Sequence, residues 1–238
     1  MKKTKAFFGL IFVLLLGSCG LETYVYLNPV EIITINGVIG ASVTLPSSQQ
    51  PQFRNYMIYY RIYLANRSES TFATELQINN VNTVLYQHYK SLARYTSNDN
   101  VSSTAIGTVF GNLGYYSLFV SPDGTNGKPL GDVLNAPTGG TIWLDFTDSK
   151  IPSLEFPLGV LYELFRADKF ENQSSRLFTY NDDLANSNTT NSDVQGKTGD
   201  DPVIGAYVSM YIVAFGIDEN FSPVYSRPTH IGIFQLPK

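Results

Sequence analysis

Hydrophobic and polar residues alternate along several segments of the chain, and this pattern predicts β-strands. Segments 31–36 and 41–45 are rich in β-branched residues and flank the turn-like stretch 37–40, so we expect two strands around a turn. Segment 55–64 has the clearest strand pattern, because its even-numbered positions from Tyr56 onward are all apolar or aromatic. One face of this strand is therefore expected to lie in the core.

The period changes between residues 78 and 95, where apolar residues recur every three or four positions. This spacing predicts an amphipathic helix packed on a sheet, and we expect it to be the only substantial helix. Segments 107–120 and 141–146 are bounded by Gly or Pro and predict strands, and 177–180 predicts a short strand. Segment 158–166 is compatible with a strand or a helix.

Residues 181–201 consist almost entirely of Asn, Asp, Ser, Thr and Gly, which predicts a long exposed loop outside the core. Two long apolar segments, 203–217 and 229–236, predict the closing strands. Long strands at both ends, with a helix and a polar loop between them, predict a mainly β fold. We expect one β-sandwich domain over residues 31–238, with a large insertion at approximately 66–200 that contains one helix.

The first 18 residues have the layout of an export signal. Lysines at positions 2, 3 and 5 precede an apolar run over residues 6–16, which is shorter than the about 20 residues that a transmembrane helix needs. The end of this segment resembles the lipobox of bacterial lipoproteins, with Leu16, Gly17, Ser18 and Cys19 in order. The resemblance implies that 1–18 is a signal peptide cleaved before Cys19 and that Cys19 is acylated. Residues 19–30 precede the first expected strand, so we expect them to form a short tether.

A lipobox implies a place in the bacterial cell envelope, with the membrane itself as a partner through the acylated Cys19. Gly20, rather than Asp, follows the cysteine and indicates the outer membrane. The alternative is an ordinary secretory signal that happens to carry a cysteine.

The composition limits the classes of partner and ligand that the chain can bind. The chain has 16 Lys and Arg against 20 Asp and Glu, a formal charge of -4, so it lacks the basic surface that nucleic-acid binding requires. Its one cysteine excludes an internal disulfide framework and a multi-cysteine metal site, and we expect no metal and no cofactor. The 16 Tyr and 15 Phe favour strands over a helical bundle.

Two stretches together resemble a fibronectin type III domain. Segment 42–45 followed by 56–61 resembles its second and third strands, and segment 208–216 with the Ser/Pro-rich stretch 222–228 resembles its last hairpin. The chain departs from the pattern at Pro46, which stands where the family has a core tryptophan. Lipoproteins with such a sandwich behind a lipobox are common in spirochaetes. The resemblance implies an immunoglobulin-like sandwich and says little about function.

No set of residues predicts a catalytic site. The only histidines, His88 and His230, are expected to be partly exposed surface residues rather than catalytic bases. Asp145 alternates with apolar neighbours and is close in sequence to Asp148, and a carboxylate pair could hydrolyse glycosides. We favour the simpler interpretation, in which Asp145 lies on a solvated strand edge. Four further aspartates offer oxygen ligands for calcium without an EF-hand spacing: Asp182, Asp183, Asp200 and Asp201.

Three functions remain open from the sequence. The first is a membrane-anchored envelope lipoprotein that binds or scaffolds a protein or glycan ligand. Trp143 and tyrosines such as Tyr24, Tyr26, Tyr115 and Tyr116 are the side chains available to stack on sugars. The second is an envelope glycan hydrolase that uses Asp145 and another carboxylate. The third is an assembly or pilus-like subunit, which needs an exposed edge strand to accept a partner strand.

Overall fold

The computed structural model describes most of the chain. It covers residues 26–72, 74–97, 105–121, 127–130, 139–147, 151–156, 159–166, 178–180, 193–195 and 202–237. The lipobox residues Leu16, Gly17, Ser18 and Cys19 lie outside these ranges, as do the four aspartates considered for calcium.

Strands dominate the described ranges. In chain order they are β1 Ile32–Ile35, β2 Gly40–Thr44, β3 Phe53–Ala65, β4 Tyr116–Ser117, β5 Phe119–Ser121, β6 Lys128–Pro129, β7 Thr141–Asp145, β8 Ser153–Glu155, β9 Leu161–Phe165, β10 Val194–Gln195, β11 Gly205–Ile217, β12 Pro223–Tyr225 and β13 Thr229–Gln235. Seven of them form the first sheet in the order β1-β2-β7-β8-β9-β5-β6, with antiparallel neighbours throughout.

The second sheet is built on its two longest strands, β3 and β11, which pair antiparallel along nearly their full length. β12 and β13 pair with β11, while β4 and β10 pair with β3. β10 runs parallel to β3, unlike the other pairs of this sheet. The strands β1, β2 and β7 thus lie in one sheet and β3, β11 and β13 in the other, the partition found in immunoglobulin-type sandwiches. The mainly β sandwich predicted from the sequence is confirmed.

The second sheet is buried on both faces. The face of β3 that carries Tyr56, Ile58 and Tyr60 packs against the first sheet and forms the main core. The opposite face, which carries Tyr59 and Tyr63, is covered by helices and forms two smaller clusters. The described residues therefore form three layers, with the second sheet in the middle and the outer face of the first sheet exposed around Trp143.

Three α-helices lie in the described ranges: α1 Glu75–Val81, α2 Thr83–Ser97 and α3 Ala105–Asn112. α1 begins with a capping box, in which the Thr74 hydroxyl accepts from the Gln77 N–H and the Gln77 side chain accepts from the Thr74 N–H. None of the described helices has the length and apolarity needed to cross a bilayer.

Asn82 separates α1 from α2, because its extended backbone ends the first helix while its side-chain oxygen accepts from the N–H groups of Val84 and Leu85. The single helix expected over residues 78–95 is therefore two helices. The expected strand 107–120 is wrong in its first half, which belongs to α3.

Burial explains why residues 105–112 form a helix, α3, rather than the expected strand. Ile106 and Phe110, four residues apart, both pack against the second sheet, and the Phe110 ring stacks on Tyr59 at 4.3 Å between centroids.

Two further expectations are corrected. Residues 178–180 form no strand, although Phe178 is buried in the main core. The loop 181–201 was expected to stay outside the core, but Asp193 and Val194 are buried and β10 extends the second sheet. The other residues of that loop lie outside the described ranges. Segment 158–166, left open between strand and helix, contains β9.

Candidate functional site

The outer face of the first sheet carries an exposed tryptophan, Trp143, beside a depression in the surface. In β7, Ile142 and Leu144 point into the core, so strand alternation places Trp143 and Asp145 on the outer face. Trp143 is 46% exposed, which is unusual for so large an apolar side chain in the centre of a sheet.

The strand register surrounds this indole with small and acidic side chains. Ser42 of β2 lies directly across from Trp143 on one side and Glu155 of β8 on the other. The row continues to Thr34 of β1 and to the exposed Leu161 of β9. A row across five strands spans about 19 Å at about 4.8 Å per strand.

These residues border a shallow depression of about 520 Å³. We call this surface the Trp143 face and define it by Thr34, Ser42, Trp143, Asp145, Ser153, Glu155 and Leu161. Gly40 forms part of its floor beside Asp145, and a Cβ there would lie only 2.5 Å from the carbonyl oxygen of Leu144. Glycine at this position lets β2 and β7 approach closely and leaves room above the sheet.

Asp145 is held in a fixed orientation. Its Oδ1 accepts from the backbone N–H of Thr147 at 2.8 Å and from the Thr147 hydroxyl. Among the described residues Oδ2 has no partner, so it remains an acceptor for a ligand hydroxyl. Glu155 lies diagonally across from Asp145 on the neighbouring strand, where paired positions are about 7–8 Å apart at Cα.

The charge of the Trp143 face is negative. Asp145 and Glu155 are its charged residues, and no Lys or Arg borders the depression in the part of the chain that the structure describes. The negative charge disfavours phosphorylated or sulfated ligands. It is compatible with neutral, hydroxyl-rich ligands and with amine-bearing ones.

The sequence named Trp143 and Asp145 for the chemistry they offer, and the structure brings them together. It missed Ser42 and Glu155, whose only sequence signal was their alternation with buried residues in short strands. Asp148, the expected partner of Asp145, lies outside the described residues. Tyr115 is buried, and Tyr116 is half-buried against the main core.

Both histidines pack between the second sheet and α2. The hydroxyl of Tyr63 lies 2.8 Å from Nδ1 of His88, and burial together with the Arg61 charge lowers the pKa of His88 to about 4. Burial alone lowers the pKa of His230 to about 4. Neither histidine lies near the Trp143 face, and both are neutral at pH 7.

No cluster of three or more His, Cys, Asp or Glu side chains that could hold a metal ion occurs within the described ranges. Comparison of the chain with protein-family models, with curated proteins and with solved structures finds no match.

Proposed function

We propose that this chain is a lipid-anchored envelope lipoprotein whose sandwich binds a neutral glycan on the Trp143 face. The observation that carries the proposal is the half-exposed Trp143, which lies in a 520 Å³ depression between acidic and hydroxyl side chains. Exposed indoles in polar depressions are suited to sugars, because a pyranose ring has an apolar face that stacks and equatorial hydroxyls that need acceptors and donors.

The shape of the site supports an extended ligand. The row from Thr34 to Leu161 crosses five strands, and none of the described helices packs on this face, so a chain of several sugar units can lie along it. Ser42 is small and leaves one side of the indole open. Asp145 and Glu155 supply the acceptors that fix ring orientation.

The tether would keep this domain close to its membrane. Leu27 and Val30 are buried in the core, and the Thr229 hydroxyl donates to the Val30 carbonyl. The folded part thus includes residues 27–30, which the sequence had assigned to the tether. From Cys19 to Tyr26 the chain can span at most about 25 Å. Acylation of Cys19 would therefore favour ligands in the layer next to the membrane.

Titration of the full-length chain, kept in detergent micelles, with oligosaccharides tests the proposal. The sequence contains one tryptophan, so tryptophan emission reports only on Trp143. We expect at least one of cellohexaose, maltohexaose and the hexamer of N-acetylglucosamine to change this emission saturably. No change with any neutral oligosaccharide, or binding only of sulfated ones, would contradict the proposal.

Variants separate stacking from nonspecific effects. By calorimetry, Trp143→Ala should weaken binding at least tenfold, equivalent to about 1.4 kcal/mol, because the stacking surface is lost. Glu155→Gln tests the contribution of the negative charge, because the amide keeps one acceptor oxygen. Phe221→Ala is the matched control, since Phe221 is an exposed aromatic residue (91%) on a loop of the second sheet.

A glycan hydrolase is the second candidate, and one observation favours it. Asp145 and Glu155 border the same depression, so the chain offers the two carboxylates that glycoside hydrolysis uses. Release of reducing ends at saturating oligosaccharide, abolished by Asp145→Asn and by Glu155→Gln, would establish an enzyme. Binding of the oligosaccharide without any release of reducing ends over a day would contradict the hydrolase and favour a binding protein.

The anchor needs its own experiment. Cys19→Ser should prevent incorporation of labelled fatty acid and move the protein from the detergent phase to the aqueous phase. Proteolysis of intact cells then determines the side of the membrane. Digestion would indicate outward display, and protection until lysis would indicate the periplasm and a glycan of the envelope itself.

A further inference from the structure

A second cavity, of about 350 Å³, lies away from the Trp143 face, next to α2 and the β11 and β13 strands of the second sheet. Its wall includes Tyr89 from α2, Tyr211 from β11, and Arg227 and His230 from the last hairpin. Glu31, at the start of the sandwich, borders its exposed rim.

Two polar atoms in this wall are buried without a hydrogen-bond partner among the described residues. They are the hydroxyl of Tyr211, a fully buried residue, and Nε2 of His230. Nearly all buried polar atoms in folded proteins are satisfied, and those that are not destabilise the fold. Both lie in the wall of one cavity, where a bound group can reach them together.

Local backbone geometry brings these two side chains together. Tyr211 and His230 are cross-strand partners, and the pairing register of β11 and β13 shifts just before them. Their ring centroids are 4.7 Å apart, and the Tyr89 ring lies 5.3 Å from His230 on the helix side. The cavity thus has aromatic walls and polar atoms at its base.

We propose that this cavity binds a small oxyanion, a carboxylate or phosphate group, through the Tyr211 hydroxyl, Nε2 of His230 and the Arg227 side chain. The donor set points to this chemistry, because a tyrosine hydroxyl, an imidazole N–H and a guanidinium all donate to oxygen. Glu31 is the opposing charge. It is exposed, where water screens it.

The two histidines of the chain provide an internal control. Full-length protein in detergent micelles, labelled with ¹⁵N, is titrated with sodium acetate or sodium phosphate, and with sodium chloride at matched ionic strength. We expect the His230 ring signals to shift saturably with acetate or phosphate and the His88 signals to stay in place. The bound anion should also raise the pKa of His230 from about 4 by one unit or more, because it stabilises the protonated ring.

The two probes distinguish the source of the oxyanion. Tighter binding of acetate indicates a carboxylate ligand, and tighter binding of phosphate indicates a phosphate-bearing one. Parallel shifts of both histidines, equal shifts with chloride, or no saturable shift would overturn the proposal and leave a water-filled cavity.

A matched pair of tyrosine variants tests the contact itself. Tyr211→Phe removes the unpartnered hydroxyl and should weaken anion binding at least tenfold. Tyr56→Phe removes another buried hydroxyl, which is bonded to Gln49 on the opposite face of β3, and should leave binding unchanged. Wild-type affinity in Tyr211→Phe would overturn the assignment, whereas its thermal midpoint reports separately whether the variant folds.

Discussion

Phe221 shows how one residue can carry a measurable local strain. It lies in the loop between β11 and β12 with a φ of 59°, a left-handed conformation that costs an aromatic residue about 1–2 kcal/mol. Asp218 holds the loop in place, because its side chain accepts from the N–H groups of Asn220 and Ser222. At 91% exposure the ring gains little from packing.

We therefore expect Phe221→Gly to be more stable than Asn220→Gly by about 1–2 kcal/mol. Both changes loosen the unfolded chain equally, but only the first relieves a left-handed residue. Urea unfolding of the two variants checks the difference. Equal free energies of unfolding would show that contacts of the Phe221 ring offset the cost of its left-handed backbone.

At the residue scale, the sequence showed which side chains could stack on a sugar, but not which of them are exposed. Trp143 and Tyr115 were both considered for sugar stacking, yet one is exposed and the other is buried, where its hydroxyl bonds to Ser209. Both lie in apolar surroundings along the chain, so the local pattern cannot separate them. The two residues differ in exposure because Trp143 lies on the exposed face of β7. Tyr115 packs on the second sheet, which is covered on both of its faces.

At the scale of elements, Asn82 joins two helices to the sheet beneath them. Its Nδ2 donates to the Leu64 carbonyl of β3 at 2.7 Å, while its Oδ1 caps α2. Asn82→Ala should lower the free energy of unfolding by about 1–3 kcal/mol, through loss of the cap and of a buried hydrogen bond.

Asn82→Ser keeps the capping oxygen and should lose less. Gln87→Ala, an exposed change within α2, should stay within about 0.5 kcal/mol of the wild type. Thermal unfolding followed by circular dichroism ranks the three variants. A loss in Asn82→Ala no larger than that in Gln87→Ala would refute the structural role.

Segments with a strong hydrophobic periodicity were assigned correctly to strands, whereas segments with a weak periodicity were not. The alternation of 55–64 and the length of 203–217 predicted β3 and β11, which organise the second sheet. α3 was missed because its sequence, Ala105–Asn112, contains two glycines and β-branched residues that favour strands locally. Burial of Ile106 and Phe110 against the sheet overrides that preference.

At the scale of the whole molecule, the insertion is not a separate unit. Between residues 66 and 200 the chain supplies the three described helices and also five strands of the first sheet, β5 to β9. The Trp143 face is formed from this segment and from β1 and β2. Such pairing between distant segments leaves no local pattern, which explains why the sequence pointed to Trp143 and Asp145 but not to Ser42 and Glu155 beside them.

The histidines make the stability of the whole domain depend on pH. The folded pKa of His230 is about 4, against about 6.5 in the unfolded chain, so only the unfolded state takes up this proton between those values. Stability is complete above pH 6.5 and falls as the pH drops toward 4. Between pH 7 and pH 5 the loss from His230 should be about 2 kcal/mol.

Urea unfolding at pH 7 and pH 5 of the wild type and of His230→Gln isolates this contribution, because the carboxylates titrate alike in both. The variant should lose less stability on acidification. His88→Gln should show the same direction, since the pKa of His88 is also lowered to about 4. An identical loss in wild type and His230→Gln would contradict the assignment.

A buried ion pair connects the two sheets. Arg166 follows β9 of the first sheet and Asp193 precedes β10 of the second, and their side chains make two hydrogen bonds of 2.9 and 2.6 Å. The Tyr60 hydroxyl donates to the same carboxylate at 2.7 Å. Asp193→Ala should lower the free energy of unfolding by about 3 kcal/mol, because the buried guanidinium of Arg166 loses two hydrogen bonds to the Asp193 carboxylate.

The double change Arg166→Met with Asp193→Leu should recover most of this stability, since an apolar pair avoids the cost of burying charge. Two probes follow the sheets separately: Trp143 emission for the first, and circular dichroism for the helices packed on the second. Their urea transitions should coincide in the wild type and the double variant, and separate in Asp193→Ala as the sheets unfold at different concentrations. Coincident transitions in all three proteins would mean that the interlocked cores of the sandwich, rather than this ion pair, couple the two sheets.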